Sequence, residues 1–62
     1  MASPIMKYFE STHLPPHLQG VSKRVGDVAY YMEQSLPDGP EKSAGLRKLL
    51  EAKDCFVRAN LP

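Results

Sequence analysis

Between residues 36 and 40 the chain reads Leu-Pro-Asp-Gly-Pro, and this pentapeptide limits the possible folds more than any other stretch. Pro37 and Pro40 each remove a backbone donor and are barred from a helix interior, and the Asp-Gly between them is turn chemistry. On either side lies a stretch with apolar residues recurring every three or four positions, the signature of an amphipathic helix. Two helices joined by so tight a connection run antiparallel. The expected fold is therefore all-α, an antiparallel two-helix hairpin in one domain. Residues 1–15 form a short N-terminal arm or helix, 16–35 the first helix, 36–40 the turn and 41–60 the second helix.

The first helix is expected to open at Pro16 or His17, because a proline costs nothing in a first turn whose N–H groups lack partners anyway. Leu18, Val21, Val25, Val28 and Met32 then form a heptad-like stripe, the pattern of a buried seam, which Tyr30 and Tyr31 widen. Gly20 and Gly26 each cost up to about 1 kcal/mol relative to alanine inside a helix. Each marks either simple tolerance or the close approach of another backbone or a ligand. In the second helix Asp38 is a candidate cap, Pro40 suits the first turn, and Glu41 lies where the helix dipole favours an anion. Leu46, Leu49, Leu50, Phe56 and Val57 make its stripe, with a break at Lys53. Ile5, Met6, Tyr8 and Phe9 form a further apolar cluster in the arm, able to pack as one helical turn or as an extended segment.

At 62 residues the chain is short enough that stability is in question. Domains of this size bury only roughly 60% of their unfolded surface and usually need disulfides, metal or partner subunits. Cys55 is the sole cysteine, so no disulfide forms within the chain. A metal site is not expected, because His13 and His17 flank Leu14-Pro15-Pro16, which breaks any helix that could align them. Two helices sharing one seam would leave Tyr30, Tyr31, Phe56, Val57 and the arm cluster part-exposed, and an exposed apolar surface marks an interface. A homo-oligomer of hairpins is the expected solution.

The formal net charge of +1 argues against a duplex nucleic-acid partner, which requires a concentrated basic face. It leaves room for a small anionic ligand. No apolar run approaches the ~20 residues of a membrane span, and the first residues lack signal-peptide architecture. With a lone free thiol, the expected location is cytoplasmic. His13 and His17 have neither a nucleophile nor a paired carboxylate at a useful spacing and read as solvated loop residues. Cys55, with no basic cluster beside it, reads as a small packing residue. No catalytic residue, metal or cofactor is expected, and the chain is not expected to be an enzyme. A helix-turn-helix is excluded by helix length and by the tight antiparallel turn.

Three features remain open between a structural and a functional role. Lys23-Arg24 on the first helix, and Arg47-Lys48 with Arg58 on the second, are either solvated faces or donors to an anion. Tyr8-Phe9 is either a staple that packs the arm onto the helices or a stacking surface for a base.

Residues 36–61, and in particular Pro40-Glu41-Lys42-Ser43, the Leu46 to Leu49 stripe, Glu51-Ala52 and Val57-Arg58-Ala59, resemble the helical-hairpin domain of phage anti-CBASS sponge proteins, a domain shared with anti-Thoeris sponges. Tyr8, Lys23 and the Asp-Val-Ala-Tyr-Tyr-Met segment extend the likeness to most of the chain. The resemblance implies a hexamer of hairpins that sequesters cyclic oligonucleotide immune signals without cleaving them, in the host bacterial cytoplasm if the chain is phage-encoded. It implies that Tyr8 stacks on a base of a cyclic dinucleotide between paired copies while Lys23 contacts phosphate. Counting back from the turn sets Ser22 opposite the family's basic residue, and Arg24 is the alternative to Lys23. Arg58 is the position implied for cyclic trinucleotides where three copies meet. The competing expectation is a small helical hairpin acting as a structural or regulatory module that docks on a protein partner.

Overall fold

A computed structural model describes residues 3–61; the first two positions of the expected arm and Pro62 lie outside the described residues. Two α-helices of twenty residues each, α1 (Pro16–Ser35) and α2 (Pro40–Ala59), pack against each other as a hairpin. Both carry proline in the first turn. The arm is a 3-10 helix, Pro4–Phe9, that lies against both long helices. The described residues contain no strand, and they extend over 38 × 17 × 15 Å.

The core is thin. Phe9, Ala29 and Leu46 form its buried centre, with Ile5, Met6, Val25, Leu49 and Leu50 packed around them. Each of the three helices contributes one of the buried three, so the 3-10 helix is part of the core and not an appendage.

The inward face of α1 departs from the expected seam. Leu18 and Val25 do turn inward, but the other buried positions are Ser22, Ala29 and Glu33, while Val28 and Met32 are exposed. Ser22, Ala29 and Glu33 each stand one residue beyond stripe positions 21, 28 and 32, while Leu18 and Val25 belong to both faces, so the inward face as a whole is turned by roughly 60° on a helix of 3.6 residues per turn. The 3-10 helix accounts for this. It crosses α1 at Gly26, where a Cβ would stand 2.9 Å from the carbonyl oxygen of Phe9. Only a face of small residues lets a second backbone approach so closely, and α1 offers Gly26 and Ala29 there rather than its valines. Gly20 meets only the tip of Arg24 at 3.4 Å and is simple tolerance.

On α2, Leu46 is buried and Leu49, Leu50 and Val57 are half-buried, but Phe56 is 54% exposed. Lys53 does not break the stripe; it fills an inward position and is itself buried. Asp38 does not cap α2 either. Its Oδ1 accepts from Lys42 Nζ at 2.8 Å, and Gly39 occupies the cap position with no side-chain bond. Cys55 is exposed, with Arg58 Nη2 3.4 Å from its Sγ, so it is not a packing residue.

Candidate functional site

The 3-10 helix divides the Tyr8-Phe9 pair. Phe9 is buried on the small face of α1, whereas Tyr8 is 55% exposed. The Lys7 ammonium sits 5.2 Å from the centroid of the Tyr8 ring, within cation–π range. Lys53 Nζ donates to the Tyr8 carbonyl oxygen at 2.5 Å, so the backbone carrying the ring is tied to α2.

The basic residues go to different places. Lys23 lines a groove of about 340 Å³ with Met6, Phe9, Glu10, Ser11, Gly26, Asp27 and Tyr30. That groove carries Lys23 alone against the carboxylates of Glu10 and Asp27, so its field is mixed. Arg24 is exposed and donates back to the Gly20 carbonyl at 3.1 Å. Ser22 is fully buried, so a cation on this turn of α1 can face outward only from a neighbouring position such as Lys23 or Arg24. Arg58 lines a separate groove of about 230 Å³ with His13, Leu14, Lys53, Asp54 and Val57. Tyr8 lines neither of these two grooves. The two grooves described therefore separate Lys23 from Arg58, and neither includes Tyr8.

Sequence reasoning missed three buried polar residues, Ser22, Glu33 and Lys53. Glu33 and Lys42 form the centre of a network at the turn. The ammonium of Lys42 is 2.5 Å from Glu33 Oε1 and 2.8 Å from Asp38 Oδ1, and its third hydrogen is shared between the carbonyls of Glu33 (2.9 Å) and Leu36 (3.2 Å). It thereby satisfies carbonyls that the end of α1 leaves without helical partners. Glu33 Oε2 accepts the Ser3 backbone N–H at 2.5 Å, and Oε1, shared with Lys42, accepts the Ser3 hydroxyl at 3.1 Å. The Ser22 hydroxyl has no hydrogen-bond partner among the described residues, and nothing in the structure explains it. The signal available in the sequence was position. Ser22, Ala29 and Glu33 stand four, eleven and fifteen residues after Leu18, a regular helical face hidden by the more apolar stripe beside it.

The network makes stability depend on pH. The bond from Lys42, reinforced by the Ser3 N–H and hydroxyl, lowers the Glu33 carboxyl from its ordinary 4.5 to about 2. Its contacts with Asp38 and Glu33 raise the Lys42 ammonium above 10.5. A depressed carboxyl stabilises the fold fully above its unfolded value and loses that contribution as pH falls through the folded one. A raised ammonium does so below 10.5 and fails only in stronger alkali. Urea midpoints for the native chain and Glu33→Gln should therefore differ by a constant amount between about pH 5 and 10 and converge between pH 4.5 and about 2. A gap as wide at pH 2 as at pH 7 would contradict this account of Glu33.

Among the described residues no three of His, Cys, Asp and Glu come together as metal ligands would, and no helix is long and apolar enough to cross a membrane. Comparison of the chain with protein-family models, with curated proteins and with solved structures finds no match.

Proposed function

We propose that the chain is a phage-type sponge. In this reading it binds cyclic oligonucleotide immune signals, cyclic dinucleotides foremost with cyclic trinucleotides as a second candidate class, and holds them without cleaving them, so that CBASS-like antiphage defence is inhibited. The observation that carries this reading is the Tyr8 ring, left out of a core that takes its neighbour Phe9 and accompanied by the Lys7 ammonium at 5.2 Å. With the ammonium over one face of the ring, the opposite face suits a base and the cation suits its phosphate. The sequence resemblance supplies the ligand class.

Because Lys23 and Arg58 line different grooves and Tyr8 lines neither, the pockets in this reading lie between copies of a homo-oligomer, taken as the hexamer of the resemblance. A two-fold interface doubles each contact, and a cyclic dinucleotide presents two bases and two phosphates, so one aromatic and one cation per chain suffice. Lys23 is the phosphate contact, with Arg24 beside it as the alternative, and Arg58 serves the trinucleotide. The copies meet through an exposed apolar groove of about 280 Å³ that includes Val28, Met32, Leu36 and Leu49. Val28 and Met32, two residues of the stripe predicted as the seam of the hairpin, line this groove.

Calorimetry against a panel of cyclic di- and trinucleotides tests the reading, and no ligand binding tighter than about 10 µM would remove its support. Tyr8→Ala should weaken dinucleotide binding by about 1–3 kcal/mol, roughly 5- to 150-fold. Arg58→Ala should leave dinucleotides unaffected and weaken only the trinucleotide. An affinity untouched by Tyr8→Ala rejects the stacking site.

A further inference from the structure

A 3-10 helix of six residues cannot hold itself together, because helix nucleation is unfavourable and its hydrogen-bond geometry is poor. Its apolar side chains Ile5, Met6 and Phe9 attach it to the core. Both ends are also bonded, each by a buried charged side chain from a different long helix. At the N-terminal end, where peptide N–H groups lack partners, the Glu33 carboxylate of α1 accepts from the Ser3 N–H and hydroxyl. At the C-terminal end, where carbonyls lack partners, the Lys53 ammonium of α2 donates to the Tyr8 carbonyl.

We propose that Glu33 and Lys53 are positioning residues that clamp the 3-10 helix at its two ends, so that the backbone carrying Tyr8 is fixed before any ligand arrives. The role of Tyr8 as a ligand contact rests on the sponge reading above; the clamp does not.

The burial of Lys53 is the strongest reason for the assignment. It is 7% exposed and occupies the place on the Leu46, Leu49, Leu50, Val57 face where an apolar residue would extend the stripe. Lysine is almost never fully buried unless it is paired, since taking an ammonium out of water is costly. Its one neighbouring carboxylate, Asp54, stands 3.6 Å away and is half-exposed. The bond that needs the buried position is the one to Tyr8, which lies 45 residues away in the chain. Glu33 is likewise only 6% exposed, and Lys42 holds its carboxylate in the orientation that receives Ser3. Gly26 admits the Phe9 backbone so closely that the segment has little room to slide. A backbone segment already held in place does not have to be ordered on binding, which is what preorganisation contributes to affinity.

Backbone relaxation of the ligand-free protein decides the matter. In the native chain residues 5–9 should show order parameters near those of a rigid backbone, about 0.85. Lys53→Met retains an apolar stem but removes the donor, and should drop Lys7 to Glu10 below about 0.6 while α1 and α2 stay unchanged. Lys53→Arg should restore them, and Glu33→Gln should loosen residues 3–6 selectively. In parallel, Lys53→Met should weaken calorimetric binding of the probe 3′,3′-cyclic GMP–AMP by about tenfold. A mobile segment in the native chain, or one unmoved in both variants, overturns the clamp. Loss of order throughout α1 and α2 as well would make Lys53 a general core residue and overturn it too. If Lys53→Met does not fold, the Glu33→Gln pattern decides alone. A mobile segment with unchanged affinity overturns the presentation of Tyr8. If the native chain binds no cyclic nucleotide, the sponge reading falls, and the relaxation data still judge the clamp.

Discussion

Leu46→Ala is expected to lower the melting temperature by at least about 10 °C. Leu46 is 2% exposed and is the one residue that α2 places in the buried centre with Phe9 and Ala29. Truncating a fully buried leucine costs about 2–5 kcal/mol, because the lost transfer energy is joined by a cavity that the neighbours fill only partly. At ~0.05–0.15 kcal/mol per residue, a chain of 62 residues has about 3–9 kcal/mol in total. One kcal/mol moves the midpoint of so small a domain by about 4–8 °C. With only four buried apolar residues among those described, no second layer can compensate. Calorimetric or circular-dichroism melts at fixed protein concentration provide the measurement, since association would make the midpoint concentration-dependent. A shift of only two or three degrees would mean that the hairpin does not depend on this core.

Met32→Glu should break the assembly while leaving the hairpin folded. Met32 is 37% exposed, Val28 and Leu36 are 46% exposed, and these three line one apolar groove with Leu49. A carboxylate placed there meets water in a single chain at little cost. In a groove closed by a second copy it would be buried beside the Glu41 carboxylate and a Lys42 ammonium already shared by Glu33 and Asp38, a loss of several kcal/mol at each interface. Light scattering should show the native chain as an oligomer at micromolar concentration and Met32→Glu as a smaller species, with far-ultraviolet helicity preserved. Cyclic-nucleotide binding should fall with the assembly, because the pockets proposed here lie between copies. A native chain that is already monomeric, folded and cooperative at that concentration would remove the basis of those pockets. The groove would then belong to a different protein partner.

The hairpin was legible because it depends on local chemistry. Prolines at 37 and 40 end one helix and open the next, and apolar recurrence on either side requires two amphipathic rods. The rotation of α1 was not legible. Val21, Val28 and Met32 outrank Ser22, Ala29 and Glu33 on any hydrophobicity scale, yet it is Ser22, Ala29 and Glu33 that are buried. Hydrophobic periodicity finds the more apolar stripe; it cannot see a third element that needs a small-residue face. The arm offered the residues of that element but not its placement. Tyr8 and Phe9 are adjacent and alike, and nothing local says which one enters the core.

The candidate site divides in the same way. That Tyr8, Lys23, Arg24 and Arg58 have the chemistry for bases and phosphates is visible in the residues themselves, since ring faces and cations do not depend on context. Where those groups stand depends on contacts between residues far apart in the chain. Lys53 reaches Tyr8 across 45 positions, and Ser3 meets Glu33 across 30. Lys53, which reads as a break in a stripe, and Glu33, which lies off the apolar stripe, are buried because each finds partners on another element: the Tyr8 carbonyl for Lys53, and Lys42 and Ser3 for Glu33. Turns and helices follow from short-range sterics and backbone hydrogen bonding, which the sequence by itself determined. Burial of charge requires a partner brought close by the packing of whole helices, and only the tertiary structure decided that.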